Sequence, residues 1–285
     1  MVEVAWKKRL DDLQIGSLAE MFGVEKPIIG MVHLWPLPGA PGYADYGVDT
    51  ILIHAREDAQ ALLEGGVDGL IVENMWDLPY YVNADVQIES VTAQAVAARK
   101  IKEMAGVPVG VNVIHNGWRA ELSIAIAAGL DFMRVCILTG ARLWDTGDLD
   151  AGCAADLLRR RKELGAERVR LLADVDKKHS VPFPGIDLET HIEWTEFYRP
   201  DALIVSGRMT GDAPDLDKVR RAKERASRPI LMGSGTTAEN IAEFLQYADG
   251  AIVGSSLKVD GVMENPVDLE RVRRYMEAVK QVRAG

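Results

Sequence analysis

Short apolar runs alternate along the chain with amphipathic segments of helical length, a pattern that predicts strands followed by helices. The predicted strands are Lys26–His33, Gly69–Asn74, Val109–Ile114, Phe132–Ile137, Arg170–Val175, Ala202–Ser206, Ile230–Met232 and Ala251–Val253. The predicted helices that follow them are Val48–Leu63, Glu89–Met104, Trp118–Ala128, Ala154–Leu164, Leu188–Tyr198, Leu216–Arg225, Ala238–Tyr247 and Val267–Arg283. Eight repeats of strand and helix predict the α/β class and a (β/α)8 TIM barrel.

An N-terminal helical extension is predicted before the barrel, over residues 1–25. Its apolar positions indicate an amphipathic helix, Trp6–Phe22, which ends at Gly23 and could cap the bottom of the barrel. No linker rich in proline or serine interrupts the 285 residues. We therefore predict that residues 26–285 form one barrel domain.

Loop lengths differ between the two ends of the predicted barrel. Links from a helix to the next strand are as short as Gly65-Gly66 or Arg199-Pro200. Links from strand to helix after the first, second, fourth and fifth strands are long and carry aromatic or charged side chains. Function is therefore expected at the carboxyl ends of the strands, the mouth of the barrel.

Glycine turns follow the last two predicted strands. They contain Gly233, Ser234 and Gly235 after the seventh strand, and Gly254 and Ser255 after the eighth. Such small residues leave backbone N–H groups accessible, and a helix beginning at Ser255 or Ser256 would add the positive end of its dipole. Barrels often bind phosphate at this place, so we predict a phosphate site; the alternative is that the glycines only permit tight turns.

Polar side chains stand near the ends of several strands that a barrel would bury on both faces. Catalytic roles are predicted for His33, Glu73, Arg134, Asp174 and Asp176, and places in a ligand pocket for Asn74, Asn112, His115, Lys177 and Ser206. Arg134 and Asp174 lie on neighbouring predicted strands and should pair inside the barrel. The pair is either a structural ion pair or a general base held ready for substrate.

The segment after the fifth strand offers two further kinds of chemistry. Asp174 and Asp176 are expected on one face of the strand, with His179 in the loop beyond, so these three could hold a divalent metal. Turn formation is the alternative, and the sequence requires no cofactor. Lys177 and Lys178 provide a Schiff-base option, because a desolvated lysine in a barrel mouth becomes a nucleophile.

Composition limits the partners. The net charge of −10 disfavours nucleic acid, so an anionic ligand would need a locally positive pocket. Cys136 and Cys153 show no metal-site spacing, which favours a reducing, cytoplasmic location. No signal peptide or transmembrane segment is predicted, and any membrane association would be peripheral. We expect a phosphorylated small molecule as ligand and a homo-oligomer as the assembled state.

Two motifs resemble the BtpA/SgcQ family. The first is Ile28–Leu34 (IIGMVHL) followed by Pro36–Gly39 (PLPG), and the second is Val67–Asn74 (VDGLIVEN) with Asp77, Pro79 and Tyr80 after it. The resemblance extends over essentially the whole chain and implies a TIM barrel. For function it implies two directions, because the family is named after a factor for photosystem I biogenesis, whereas SgcQ-like members are associated with carbohydrate metabolism.

Two hypotheses follow. The first is an enzyme of isomerase, epimerase, lyase or nucleosidase type that acts on a phosphorylated sugar or nucleotide-like molecule, with Asp174, Glu73 and His33 as acid–base groups. The second is a noncatalytic assembly or stability factor of the photosystem I biogenesis type. A mouth where Asp174, Arg134 and Gly235 converge would favour the enzyme, and an exposed apolar patch elsewhere would favour the assembly factor.

Overall fold

The computed structural model describes residues 17–82, 86–207 and 215–285. In these ranges the helices are α1 Leu18–Phe22, α2 Gly47–Gly65, α3 Ile88–Met104, α4 Trp118–Ala128, α5 Ala154–Glu163, α6 Leu188–Phe197, α7 Leu216–Arg225, α8 Ile241–Phe244 and α9 Leu269–Ala284. The strands are β1 Ile28–His33, β2 Gly69–Glu73, β3 Val109–Asn112, β4 Phe132–Val135, β5 Ala141–Trp144, β6 Leu149–Ala151, β7 Arg170–Asp176, β8 Ser180–Pro182, β9 Ala202–Val205, β10 Ile230–Met232 and β11 Gly250–Val253.

Eight strands form a closed barrel in the order β1-β2-β3-β4-β7-β9-β10-β11. Every neighbouring pair in this ring is parallel. Strand β1 pairs with β11, where Ile28 lies opposite Ala251, and this pairing closes the barrel. Because helices alternate with these strands along the chain, the prediction of a (β/α)8 barrel is confirmed.

Helix α1 covers the amino ends of the strands. Ser17 and Glu20 form a capping box at its start, which satisfies two backbone N–H groups that the helix leaves unbonded. Phe22 packs edge-on against Phe132 at the start of β4, with ring centroids 5.8 Å apart. The predicted helix Trp6–Phe22 is therefore helical from Leu18 onward, and its residues up to 16 lie outside the described ranges.

Aspartates at the base tie the strands together in pairs. The residue before β2, β4, β9 and β11 is an aspartate in each case, and its carboxylate accepts a hydrogen bond of 2.8 Å from a backbone N–H at the start of the preceding barrel strand. These residues are Asp68, Asp131, Asp201 and Asp249. Each also pairs with a lysine or arginine, namely Arg283, Lys102, Arg170 and Lys223 in the same order. The base is thus held by a repeated structural contact, which leaves the mouth for function.

A small antiparallel sheet lies outside the barrel, in the order β6-β5-β8. The sequence predicted long links without strands of their own after the fourth and fifth barrel strands, so this sheet is a correction. Its strands come from two successive strand-to-helix links, and Leu143 of β5 faces Val181 of β8. Pairing between two separate links leaves no local sequence pattern, because the barrel determines whether the two links lie side by side.

None of the helices in the described ranges combines the length and the apolar composition that a membrane crossing requires.

Candidate functional site

A small pocket lies at the carboxyl ends of the barrel strands. We call it the mouth pocket. It is lined by Met31, His33, Glu73, Arg134, Lys178, Gly233, Ser234, Gly235, Thr236, Ile252, Val253, Gly254, Ser255 and Ser256. All five predicted phosphate-binding residues therefore lie around one space, together with three of the five predicted catalytic residues.

The two glycine turns carry backbone N–H groups that have no hydrogen-bond acceptor in the described part of the chain. Those of Gly235, Thr236, Ser255 and Ser256 donate to no acceptor among the described residues. The buried Oγ of Ser256 also lacks a hydrogen-bond partner in that part of the chain. Thr236 is buried and the other three residues are partly exposed, so this arrangement suits a ligand with several acceptor oxygens that enters from the open side. We call these four residues the N–H cradle.

Close packing explains two of the glycines beside the cradle. A Cβ at Gly254 would lie 2.9 Å from Cε1 of His33, and a Cβ at Gly233 would overlap the hydroxyl of Ser206. Gly235 has a φ of 71°, a conformation that glycine adopts without strain. These glycines thus permit tight turns and also leave the backbone accessible.

The helix that was predicted to begin at Ser255 or Ser256 contributes little dipole field to the mouth pocket. The segment predicted as the helix Ala238–Tyr247 is helical only over Ile241–Phe244, and Ser255–Leu257 is a single turn of 3₁₀ helix. A helix macrodipole needs several aligned turns, so these short helices add little field. Attraction for an anion would come from the N–H groups of the cradle and from nearby cations.

His33 and Glu73 form a buried pair that lines the mouth pocket, and the ring of His33 lies against Gly254 beside the cradle. His33 Nε2 lies 3.7 Å from Glu73 Oε1, and the two residues are 8% and 2% exposed. Burial, together with the positive charges of Lys258 and Lys178, holds the pKa of His33 well below its ordinary value. A neutral imidazole beside a carboxylate can accept or relay a proton at physiological pH.

Arg134 and Asp174 form the predicted pair inside the barrel. Nε and Nη2 of Arg134 donate to the two carboxylate oxygens of Asp174 at 2.9 Å each, and both residues are 1% exposed. Burial alone would raise the pKa of Asp174, but Arg134 and Lys177 outweigh it and hold that pKa below its ordinary value. Arg134 reaches the mouth pocket, whereas Asp174 lies beneath it.

The two adjacent lysines occupy different places. Nζ of Lys177 lies 3.8 Å from Asp174, and Lys177 lines a neighbouring cleft beside β5 and β8. Lys178 lines the mouth pocket itself. Burial lowers the pKa of Lys178 to about 8, and the charges of Arg134 and Lys177 act in the same direction against Glu73. The residue predicted for the ligand pocket was Lys177, and the structure puts its neighbour there.

The predicted metal set is not brought together. Asp176 pairs with Lys218 and lies 3.5 Å from Arg142, while His179 Nδ1 lies 3.0 Å from Asp145. A register irregularity lies between Asp174 and Asp176, and Asp174 is buried against Arg134 whereas Asp176 is partly exposed. Within the described residues, no cluster of three histidine, cysteine, aspartate or glutamate side chains is placed to hold a metal ion.

The other residues predicted for the ligand pocket make structural contacts around the mouth pocket instead of lining it. Asn74 accepts a hydrogen bond of 2.9 Å from the backbone of Ile114, and Asn112 donates to Glu121 at 2.8 Å. The ring of His115 stacks on Trp144 at a centroid distance of 3.9 Å. Ser206 Oγ lies 3.5 Å from Nη2 of Arg134. The polar side chains at the strand ends thus fall into two groups. Some line the mouth pocket, and the others make contacts with the surrounding loops.

Thr236 and Glu121 were not predicted, and Ser256 was named only as a possible helix start. Thr236 and Ser256 contribute backbone to the cradle, and each follows a residue that the sequence already marked. Glu121 is fully buried in α4, and burial raises its pKa to about 8. A charged residue on the apolar face of the predicted helix Trp118–Ala128 was the available signal for Glu121.

The closed ring of parallel strands, with polar side chains gathered at the carboxyl ends, defines a TIM-barrel protein with its candidate site at the mouth. The profile of the BtpA family matches residues 24–281, and the chain belongs to that family. An uncharacterised protein of Thermococcus kodakarensis is 42% identical over 90% of this chain and 97% of its own length. The photosystem I biogenesis protein BtpA of Synechocystis is 37% identical over 93% of this chain and 92% of its own length.

Solved structures with the same fold are more distant. Tryptophan synthase of Mycobacterium tuberculosis superposes with a TM-score of 0.62 at 18% identity, over 95% of this chain and 100% of the other. N-(5'-phosphoribosyl)anthranilate isomerase of Pyrococcus furiosus superposes with a TM-score of 0.55 at 14% identity, over 90% of this chain and 99% of the other. Similarity at this level establishes the fold alone.

Proposed function

We propose that the protein is an enzyme that binds a phosphorylated sugar or nucleotide-like molecule in the mouth pocket. The observation that carries the proposal is the N–H cradle, whose four unpaired donors share one pocket with Lys178 and with the His33–Glu73 pair. Three oxygens of a phosphate can accept from several such donors at once. The reaction would be of isomerase, epimerase, lyase or nucleosidase type.

The acid–base roles in this proposal fall to His33 and Glu73. Both line the mouth pocket, and neither is held in a strong ion pair. Asp174 is a positioning residue instead, because both of its oxygens accept from Arg134 and it lies beneath the pocket. Arg134 is thereby held with part of its guanidinium facing the ligand space.

The names of similar barrels agree with a phosphorylated ligand. One is the phosphoribosylanthranilate isomerase, and another is a thiamine phosphate pyrophosphorylase of Pyrococcus furiosus with a TM-score of 0.55 and 15% identity. Phosphate groups commonly bind after the last two strands of this fold, where the cradle lies. This agreement supports a phosphate group and leaves the reaction type open.

Thermal unfolding with inorganic phosphate tests the cradle. Phosphate should raise the melting temperature of the wild-type protein in a concentration-dependent way, relative to chloride at equal ionic strength. Gly235→Asp should remove this stabilisation, because it adds a negative charge beside the N–H groups. Gly235→Asn is the matched control, since it has the same shape, tolerates the same positive φ and carries no charge. An equal response of the wild type and Gly235→Asp would contradict the proposal.

A second candidate function, the assembly factor, is favoured by a different surface. Trp194, Phe197 and Tyr198 of the α6 region are 46%, 79% and 40% exposed and lie outside the mouth. Exposed aromatic side chains of this kind are typical of protein interfaces. The Synechocystis relative bears the name of a photosystem I biogenesis protein. Under this alternative, Phe197→Ser would impair partner binding while phosphate stabilisation persists.

A further inference from the structure

We propose that Lys178 is a nucleophile that forms a Schiff base with the carbonyl group of a phosphorylated aldehyde or ketone. This inference rests on the proposed function, because it takes the N–H cradle as the site of the phosphate. It adds the substrate class and the residue that would make the covalent bond.

Within the described residues, Lys178 differs from the other lysines near the barrel mouth because it forms no close ion pair with a carboxylate. Lys177 pairs with Asp174, Lys218 with Asp176, and Lys258 with Asp58. Among the described residues, no acidic side chain lies within ion-pairing distance of Lys178. The charge of Glu73, which lines the same pocket, favours the protonated amine, but burial and the charges of Arg134 and Lys177 outweigh it. An amine that forms no close ion pair loses its proton at lower cost, which is the first requirement for a nucleophile.

The surroundings of Lys178 add to this effect. It follows β7 by two residues and lines the mouth pocket with Arg134, whose positive charge disfavours a second cation. Burial is the largest influence, and the pKa of about 8 leaves roughly one amine in ten unprotonated at pH 7. An ordinary lysine, with a pKa near 10.4, would have fewer than about one in a thousand unprotonated at that pH.

The pocket places the two ends of a short substrate on different walls. The cradle belongs to the turns after β10 and β11, whereas Lys178 belongs to the link after β7. A phosphate in the cradle would leave the carbon chain of a sugar phosphate in the same pocket as Nζ. Holding both groups in one pocket favours attack by the amine, because the encounter becomes intramolecular.

The chemical step balances with the groups present. The lone pair of Nζ attacks the carbonyl carbon, and the oxygen takes one proton that nitrogen loses, which gives a carbinolamine. The carbon–oxygen bond then breaks, and the hydroxyl leaves as water with the second proton from nitrogen, so that a carbon–nitrogen double bond remains. A proton from solvent converts this imine to the iminium. His33 can relay these protons, since its Nδ1 has no hydrogen-bond partner in the described residues and its Nε2 faces Glu73.

Reductive trapping tests the proposal directly. The full chain is incubated with dihydroxyacetone phosphate or glyceraldehyde 3-phosphate and cyanoborohydride, and adducts are located by intact mass and peptide mapping. We expect one adduct per chain on Lys178 and at least a tenfold loss of labelling in Lys178→Arg. Lys177→Arg, the adjacent control, should keep the adduct. Circular dichroism and thermal melting establish that each variant is folded.

Three outcomes would overturn the inference: no adduct on the folded wild type, labelling spread equally over exposed lysines such as Lys100 and Lys280, or an undiminished adduct in Lys178→Arg. If phosphate still stabilises the protein in these cases, the phosphate site stands and only the Schiff base fails. If Lys178 is trapped equally well by unphosphorylated glyceraldehyde and phosphate does not compete, the nucleophile stands and the phosphate site fails.

Discussion

The buried geometry of the Arg134–Asp174 pair favours a structural role over a catalytic one. Two hydrogen bonds of 2.9 Å join groups that water does not reach. Charges taken out of water are tolerated only when they are paired, so removal of one partner leaves an uncompensated charge in the barrel. The pair therefore holds Arg134 at the edge of the mouth pocket.

Two single variants and their combination test this role. Asp174→Asn and Arg134→Met should each lower the free energy of unfolding by about 3–5 kcal/mol, because each leaves a buried charge without its partner. The double variant should recover part of the loss, as measured by urea unfolding. Wild-type stability in Asp174→Asn, with loss of phosphate stabilisation, would instead show that Asp174 acts on the ligand.

Glu121 is a second buried acid, and it makes stability depend on pH. Its Oε1 accepts hydrogen bonds of 2.8 Å from Asn112 and from the backbone of Val113, while its buried Oε2 has no partner in the described part of the chain. Burial raises its pKa from 4.5 to about 8 in the folded state. The folded protein therefore keeps a proton that the unfolded chain has lost between these two pH values.

Glu121→Gln should remove this dependence. For the wild type, the proton held by Glu121 makes stability fall with rising pH, by about 1.4 kcal/mol per pH unit between the two pKa values, and level off above the folded pKa. The glutamine variant should therefore be more stable than the wild type at pH 8, with the difference shrinking toward pH 5. Urea unfolding across this range measures the effect, with the exposed Glu264→Gln as control. Parallel stability curves would show that Glu121 is ionised in the fold.

Helices α2 and α9 of the outer layer pack closely against each other. Gly65, the last residue of α2, lies against Val272 of α9, and a Cβ built on Gly65 would be 2.5 Å from the Cβ of Val272. Alanine is the better helix former by about 1 kcal/mol, so intrinsic propensity alone favours replacement of this glycine. The contact with the neighbouring helix outweighs that preference.

Gly65→Ala should therefore destabilise the protein by about 1–3 kcal/mol through overpacking. Val272→Ala removes the obstructing methyl groups, so the double variant should lose less than the sum of the two single losses. Urea unfolding provides the measurement. Gly106→Ala, where an added Cβ meets no atom within 4 Å, should be nearly neutral. A stabilised Gly65→Ala variant would mean that the two helices move apart at little cost.

At the scale of the whole molecule, charged side chains have different roles at the two ends of the barrel. At the base, each aspartate of the strand-tying set has a lysine or arginine partner. In the mouth pocket, Lys178 and Arg134 provide positive charge in a chain whose net charge is −10. Asp174 offsets the charge of Arg134 and Glu73 lines the same pocket, so attraction for an anion depends on the N–H cradle and on the protonated form of Lys178.

Much of this arrangement could be predicted from the chain alone. The eight strands and the two glycine turns follow from local patterns, because strand period and residue type are properties of short segments. The barrel and the Arg134–Asp174 pair were predicted from the order of those strands along the chain. The structure does not bring the predicted metal set of Asp174, Asp176 and His179 together, and a strand irregularity lies between the two aspartates. Lys178 and Lys177 could not be told apart, because the backbone after β7 decides which of them reaches the pocket.

The amino-acid sequence, read without coordinates, determined which segments become strands and helices, and it marked the carboxyl ends of the strands as the polar end of the barrel. Only the tertiary structure decided which polar side chains share a space. His33, Glu73, Lys178 and the N–H cradle come from turns and strands up to 223 residues apart, from His33 to Ser256. The physical reason is that closure of the ring of strands sets the distances between these residues. The pattern of a short segment does not specify how the ring closes.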